Sequence, residues 1–280
     1  MRARANAPAR TRMCDIACVR ACVRACVRAR CTKRTHRPCV WADYGFDPTE
    51  LAVPVTEWIA LGHVVVFATE NGAKPKCDQA VLNGILGGTI QVFPEPRRLY
   101  LELEASSAAF AHPITFSAID AGQYDALFVV GGHAPGMNQM LSNELLHSKI
   151  RPFFDSDKPV ASVCHGVLLL ARMGLLAHRK TTALPMYLEW PAWLATHYLA
   201  GMGTYQLNTT WPHYVEQEIK ASMSSPSQFV LGPLDLFGHL FTPSREDYAH
   251  AFVYQDGNRL SGRYWGDAFL LAHRFAEMLQ

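Results

Sequence analysis

The sequence predicts an α/β domain of the doubly wound kind, a mostly parallel sheet with helices on both faces. Two apolar runs carry that prediction. Tyr124–Val130 runs into Gly131-Gly132-His133, and Lys158–Val163 runs into Cys164-His165-Gly166. Continuous apolar runs are expected of parallel strands covered by helices on both faces. The third observation is their connection: residues 139–155 read as a helix of about the length a parallel crossover needs.

Asp47-Pro48-Thr49-Glu50 opens a helix, with Pro and an acid in its first turn, and Gly62 closes it. His63–Thr69 follows as a buried strand. Residues 70–78 read as a loop, and 79–123 as short helices and loops with an extra strand at 89–93. Gly166–Arg172 is a buried helix ended by Gly174, and Lys180–Ala183 is a short strand. Residues 186–200 form an aromatic-rich helix and 212–223 another. Residues 251–264 read as strand, Asp256-Gly257 turn, strand. Trp265–Gln280 is an amphipathic helix with Ala268, Leu271, Ala272, Phe275, Met278 and Leu279 on one face. No internal linker interrupts 43–280, so this stretch is one domain with an insert around 185–225.

Composition divides the chain unevenly. Its net charge of +2 is the sum of about +10 over residues 1–40 and −8 over the rest. Six of the eight cysteines also lie in the first 40 residues, at 14, 18, 22, 26, 31 and 39. Residues 17–28 read ACVRACVRACVR. Arginine at every fourth position breaks any secretory or membrane-spanning apolar run. High charge and few large apolar residues predict a disordered, low-complexity extension over 1–42. The body's acidity argues against a nucleic-acid partner. Its sparse cysteines predict a reduced, cytoplasmic protein, or a mitochondrial one if the Arg-rich stretch is a transit peptide.

The chemistry concentrates at Cys164. A nucleophile on a tight turn between a buried strand and a helix is lifted clear of the sheet, beside N-terminal amides that favour thiolate and can receive an oxyanion. Against this stands the fact that free cysteines are among the most buried residues. Gly166 allows close backbone approach after the turn. Gly131, Gly132 and His133 end the neighbouring strand, where open α/β sheets bind ligands, and Gly-Gly can aim two N–H groups at one point. An ordinary turn explains Gly-Gly equally well. Glu50 is a third candidate, since a carboxyl group beside sulfur would be pushed toward its protonated form and act as general acid or base. Most acids in a first helical turn are simply solvated. Metal binding is a lesser option, for which His133, His165 and Glu50 would have to converge; no HExxH or CxxC pattern occurs in the body, so no metal and no cofactor are expected.

Gly45-Phe46-Asp47-Pro48-Thr49-Glu50, Gly131–Met137, Ala161–Val167 and Asp256–Arg263 together resemble the ThiJ/PfpI superfamily, also described as class I glutamine amidotransferase-like. The heat-inducible glyoxalase/chaperone branch is the most similar part of it. The resemblance covers nearly all of 44–280 and implies a flavodoxin-like three-layer sandwich. It also implies a cysteine nucleophile, Cys164, followed by His165 and touched by Glu50. The implied activity is a cysteine-dependent conversion of small reactive carbonyls, of glutathione-independent glyoxalase or deglycase type, on a small-molecule aldehyde. Alternatives are a redox-sensing or holdase chaperone and an intracellular cysteine peptidase, whose third triad member the sequence does not identify. A holdase would use Trp190, Trp193 and Tyr198, although their helical spacing favours core packing. A homodimer is common in the family. The His-Pro-Glu of true amidotransferases is absent. The family's sheet begins with a central strand just before the Glu50 helix. Here the Arg/Cys-rich stretch occupies that place, so the first central strand is expected to be missing or replaced.

Overall fold

The computed structural model describes residues 36–40, 44–88, 90–234 and 244–280. The expectation of disorder before His36 lies outside them. Nine strands are described: β1 (His36–Val40), β2 (Tyr44–Phe46), β3 (Val64–Thr69), β4 (Lys76–Cys77), β5 (Ile114–Thr115), β6 (Leu127–Val129), β7 (Val160–Val163), β8 (Val253–Asp256) and β9 (Arg259–Gly262). Seven form one sheet in the order β5-β3-β1-β6-β7-β9-β8, parallel except for the β8–β9 hairpin. β2 and β4 make a separate parallel pair.

The central position expected to be missing or replaced is filled by β1. It runs parallel to β3 from His36↔Val64 to Val40↔Ala68, and to β6 at Cys39↔Phe128 and Val40↔Val129. Pairing with β6 starts only after Pro38, which has no N–H to give to a ladder. The sheet thus takes its first strand from the end of the basic stretch, beyond the Arg-every-fourth-residue repeat.

The described α-helices are α1 (Pro48–Ala60), α2 (Gln79–Asn83), α3 (Pro94–Ser106), α4 (Ala108–Ala111), α5 (Met137–Leu141), α6 (Glu144–Asp155), α7 (Gly166–Arg172), α8 (Met186–Leu194), α9 (Val215–Ser222) and α10 (Ala268–Glu277). α1 packs between α3 and α10, while α7 packs with α5 and α9, giving the helix layers of a flavodoxin-like sandwich. Trp58 joins α1 to its neighbours: fully buried, it meets Phe128 edge-on at 5.2 Å and Phe275 at 5.3 Å, and its Nε1–H donates to Ala272 O at 2.9 Å. Burying that N–H requires such a partner.

Four local expectations change. Residues 94–106 are one thirteen-residue helix, seated by Pro96, Leu99, Tyr100 and Leu103, where short pieces were expected. Instead of a strand at 89–93 there is an isolated bridge, Ile85↔Ile90, and instead of a strand at 180–183 a bridge, Thr181↔Phe229. These short runs find no neighbouring strand to complete a ladder. The loop at 70–78 contributes β4.

At the C-terminal end, Arg263 and Asp267 form a fully buried, two-pronged ion pair with Nε–Oδ2 and Nη2–Oδ1 both at 2.9 Å. Asp267 also accepts from the Phe252 N–H at 2.8 Å, and Arg263 donates to Pro233 O and His250 O. Every strong polar group of the pair is matched, which is what a buried charge pair requires.

Candidate active site

β7 ends at Val163, and the backbone reverses at Cys164 with φ 55°, a left-handed conformation uncommon for a side chain with a Cβ. α7 starts two residues later at Gly166, so the strand–Cys–helix turn expected from the sequence is present. The Cys164 N–H is tied to Gly262 O of β9 at 3.1 Å. This anchor, with full burial, holds the strained residue in place.

The three residues expected to be catalytic converge. Cys164 Sγ lies 3.3 Å from His165 Nδ1. Glu50 reaches the sulfur from the first turn of α1, whose start is fixed by Asp47: its carboxylate caps the Thr49 and Glu50 N–H groups at 2.8 and 3.1 Å. All three are fully buried. Burial pushes the Glu50 carboxyl well above its ordinary range, with the nearby Asp47 charge adding to the effect; contact with the Cys164 thiol and the Gly131 N–H offsets part of it. Burial likewise raises the Cys164 thiol well above its usual value, and the Glu50 charge adds to that. Burial lowers His165 well below 6.5. Burial thus biases all three groups toward their uncharged forms, thiol, imidazole and carboxylic acid. The helix-terminal amides expected to favour thiolate are outweighed by lost solvation.

His133 belongs to the same cluster. Its ring meets that of His165 edge-on at 4.5 Å and stacks on Tyr205 at 6.3 Å, and burial lowers its pKa to about 4. The Tyr205 hydroxyl donates to the Asp78 carboxylate, tying the insert to the start of α2. Gly131 has a packing reason to be glycine. A Cβ there would lie 2.6 Å from Glu50 Oε2, 2.7 Å from Val163 O and 2.8 Å from Cys164 Cβ. Its N–H engages Glu50, and its carbonyl accepts from Asp47 N at 2.9 Å. Gly132, at φ 154°, sits against the Gly45–Asp47 backbone. Gly166 lets α7 close onto β6, since a Cβ would stand 2.5 Å from Val129 O. These glycines bring strand ends and helix starts together around the sulfur.

Sequence reasoning missed Glu189. It lies on α8 in the insert, 1% exposed, with Oε1 3.7 Å from His165 Nε2 and Oε2 accepting the Val215 N–H at 2.8 Å. Burial raises its carboxyl well above the usual range, partly offset by that N–H. Cys164, His165 and Glu189 thus stand in sequence, thiol to imidazole to carboxyl, the order of side chains that a nucleophile, base and orienting acid require. The available signal was a lone acid in the apolar run Met186-Tyr187-Leu188-Glu189-Trp190. The aromatic residues beside it were expected to pack inward; instead Trp190 is 50% and Tyr198 66% exposed, because α8 turns Glu189 to the interior.

Among the described residues, no helix is long and apolar enough to cross a membrane. In sequence, the chain is 40% identical to the protein DJ-1 homolog D of Arabidopsis thaliana over 82 residues, covering 29% of this chain and 21% of that one. It is 40% identical to a deglycase of Pyrococcus horikoshii over 72 residues, covering 26% and 42%. A deglycase of Thermococcus kodakarensis matches at 29% over 139 residues, covering 50% and 66%. The chain therefore aligns with less than two thirds of each of these relatives. Among solved structures, glyoxalase III from Candida albicans superposes with a TM-score of 0.62 at 16% identity, covering 87% of this chain and 96% of that one. Drosophila melanogaster DJ-1beta gives 0.53 at 14%, covering 88% and 93%. Both show a shared fold. Residues 41–233, most of the described domain and the whole Cys164–Glu189 site, match the family described as ThiJ/PfpI family-like. With elbow, acid and sheet order all in agreement, the chain belongs to the ThiJ/PfpI family.

Proposed function

We propose that the chain is a Cys164-dependent enzyme acting on small reactive carbonyls, converting a 2-oxoaldehyde to a 2-hydroxy acid without glutathione, or removing such an adduct as a deglycase does. The observation that carries this reading is the buried cluster of Cys164, His165, Glu50 and Glu189. The names of the sequence relatives, deglycases, and of the fold neighbour, glyoxalase III, support the same substrate class.

The chemistry follows from the protonation states. As sulfur bonds to the aldehyde carbon, neutral His165 takes the thiol proton at Nδ1, and the neutral Glu50 carboxyl protonates the carbonyl oxygen, giving a hemithioacetal. Glu189 lies on the Nε2 side of the His165 ring, its Oε1 3.7 Å away, where it faces the imidazolium formed. Proton removal from the aldehyde carbon and its return to the neighbouring carbon give a thioester, which water cleaves to the hydroxy acid and free thiol. Full burial of the three groups suits a molecule of a few heavy atoms and disfavours an extended polypeptide, so a peptidase is the weaker reading. The expected result is lactate formed from methylglyoxal without glutathione, falling by roughly 10³-fold or more in Cys164→Ala, which has no sulfur to form the covalent intermediate. Equal rates in the two proteins would sink the proposal.

The exposed Trp190, Tyr198 and Leu199 favour a second reading, a holdase. That activity should survive Cys164→Ala and weaken in Trp190→Ser; suppression of client aggregation measures both.

A further inference from the structure

The cluster at Cys164 holds one arrangement that carbonyl chemistry does not use. A ligating atom from each of His133, Cys164 and His165 lies within 4.8 Å of the other two, and all three residues are buried. We propose that these three side chains form a binding site for a soft or borderline divalent cation of the zinc or cadmium kind, which caps the Cys164 sulfur.

Bond lengths favour the fit. Zinc sits about 2.3 Å from thiolate sulfur and about 2.0–2.1 Å from imidazole nitrogen. In a tetrahedral site those two ligand atoms are then roughly 3.5 Å apart. Cys164 Sγ and His165 Nδ1 stand 3.3 Å apart, already one edge of such a tetrahedron. The His133 nitrogen lies within 4.8 Å of the other two atoms, so reaching tetrahedral spacing takes at most about 1.5 Å, a shift within reach of a ring rotation. One thiolate and two imidazoles select zinc, cadmium or copper(I) over magnesium and calcium, which take oxygen.

The surroundings complete a cation site. A metal-bound histidine characteristically turns its other nitrogen to a carboxylate, and His165 Nε2 faces Glu189 Oε1 at 3.7 Å. Glu189 is itself held by the Val215 N–H. On the other side of the sulfur, both oxygens of the buried Glu50 carboxyl lack a hydrogen-bond partner of good geometry. His165 Nε2 and Glu189 Oε1 are also left unpaired. Such polar atoms are costly to bury and are explained by a charge they are arranged to receive. Binding converts the thiol to a metal-bound thiolate and releases one proton. The capped sulfur can neither attack a carbonyl nor be oxidised, so the ion acts as a reversible inhibitor and protector of the nucleophile.

The test needs no enzymatic assay, so its outcome is independent of the carbonyl reading. The reduced full chain is titrated with Cd²⁺ and followed by the ultraviolet thiolate-to-cadmium charge-transfer band. Subtracting the Cys164→Ala titration cancels the other seven cysteines. A saturable one-to-one difference is expected, weakened at least tenfold in His133→Ala. Superposable wild-type and Cys164→Ala curves overturn the proposal, as does an unchanged affinity in His133→Ala. A second measurement needs only wild-type protein: alkylation of Cys164 against Cys77, both free and buried, read by peptide mass with and without Zn²⁺. Zn²⁺ should slow Cys164 at least tenfold relative to Cys77; an unchanged ratio overturns the proposal.

Discussion

In the proposed mechanism Glu189 and Gly131 act on the Cys164 sulfur without themselves bonding to substrate. Glu189→Ala should lower kcat by roughly 10- to 100-fold, below the loss of a general base itself, with KM little changed. Glu189→Gln should retain more activity, because an amide can still orient His165 Nε2. A matched fall in both variants, with KM rising in step, would mean that Glu189 only supports the fold. At Gly131 the added methyl of alanine meets the Val163 carbonyl, which is backbone and cannot swing aside. Gly131→Ala should cost about 1–3 kcal/mol in urea unfolding and displace Glu50 from the sulfur. Cys164 and His165 were legible because their motif is local, whereas Glu50, 114 residues away, was joined to them only through the family resemblance. Glu189 was hidden because nothing near it in sequence says which way α8 turns.

The elements were legible where burial is continuous. β3, β6 and β7 lie within the apolar runs that predict them, the β8–β9 hairpin flanks its predicted turn, α1 and α7 start and stop near their Pro and Gly signals, and α10 lies within its predicted amphipathic stretch. α3 was harder, since its outer face carries Glu95, Arg97, Arg98 and Glu102 and only a narrow stripe packs inward. The connection from β9 to α10 depends on the Arg263–Asp267 pair, invisible as a pair in the sequence. Asp267→Ala leaves a buried guanidinium without its carboxylate and the Phe252 N–H without an acceptor. It should destabilise the domain by about 3–5 kcal/mol, measured by denaturant unfolding. A loss under 1 kcal/mol would show that water reaches Arg263.

At the scale of the whole molecule, acid groups buried around the site couple stability to pH. Burial raises Asp47 from 3.8 to about 6, so between those values the folded chain holds a proton that the unfolded chain has lost. Stability from this group is therefore greatest below about pH 4 and falls as pH rises through 6. Asp47→Asn keeps a capping oxygen for α1 and removes the charge. Relative to wild type, the variant should gain up to about 3 kcal/mol between pH 4 and 7, the equivalent of roughly two pKa units. Unfolding midpoints across that range check it, and parallel curves would refute it.

The sequence by itself determined a parallel α/β domain, the elbow at Cys164 and the acid at the head of α1, because apolar period and turn chemistry are local properties. Tertiary structure decided three things. It set β1 at the centre of the sheet, although a short stretch carrying Arg37 and Pro38 reads poorly as a central strand; its backbone pairs in parallel with β3 on one side and β6 on the other. It brought Glu189 to His165 across 24 residues of chain. It also closed the site so fully that lost solvation, rather than helix-terminal amides, governs the protonation of Cys164. Each depends on neighbours distant in sequence, and those neighbours set pairing, orientation and dielectric.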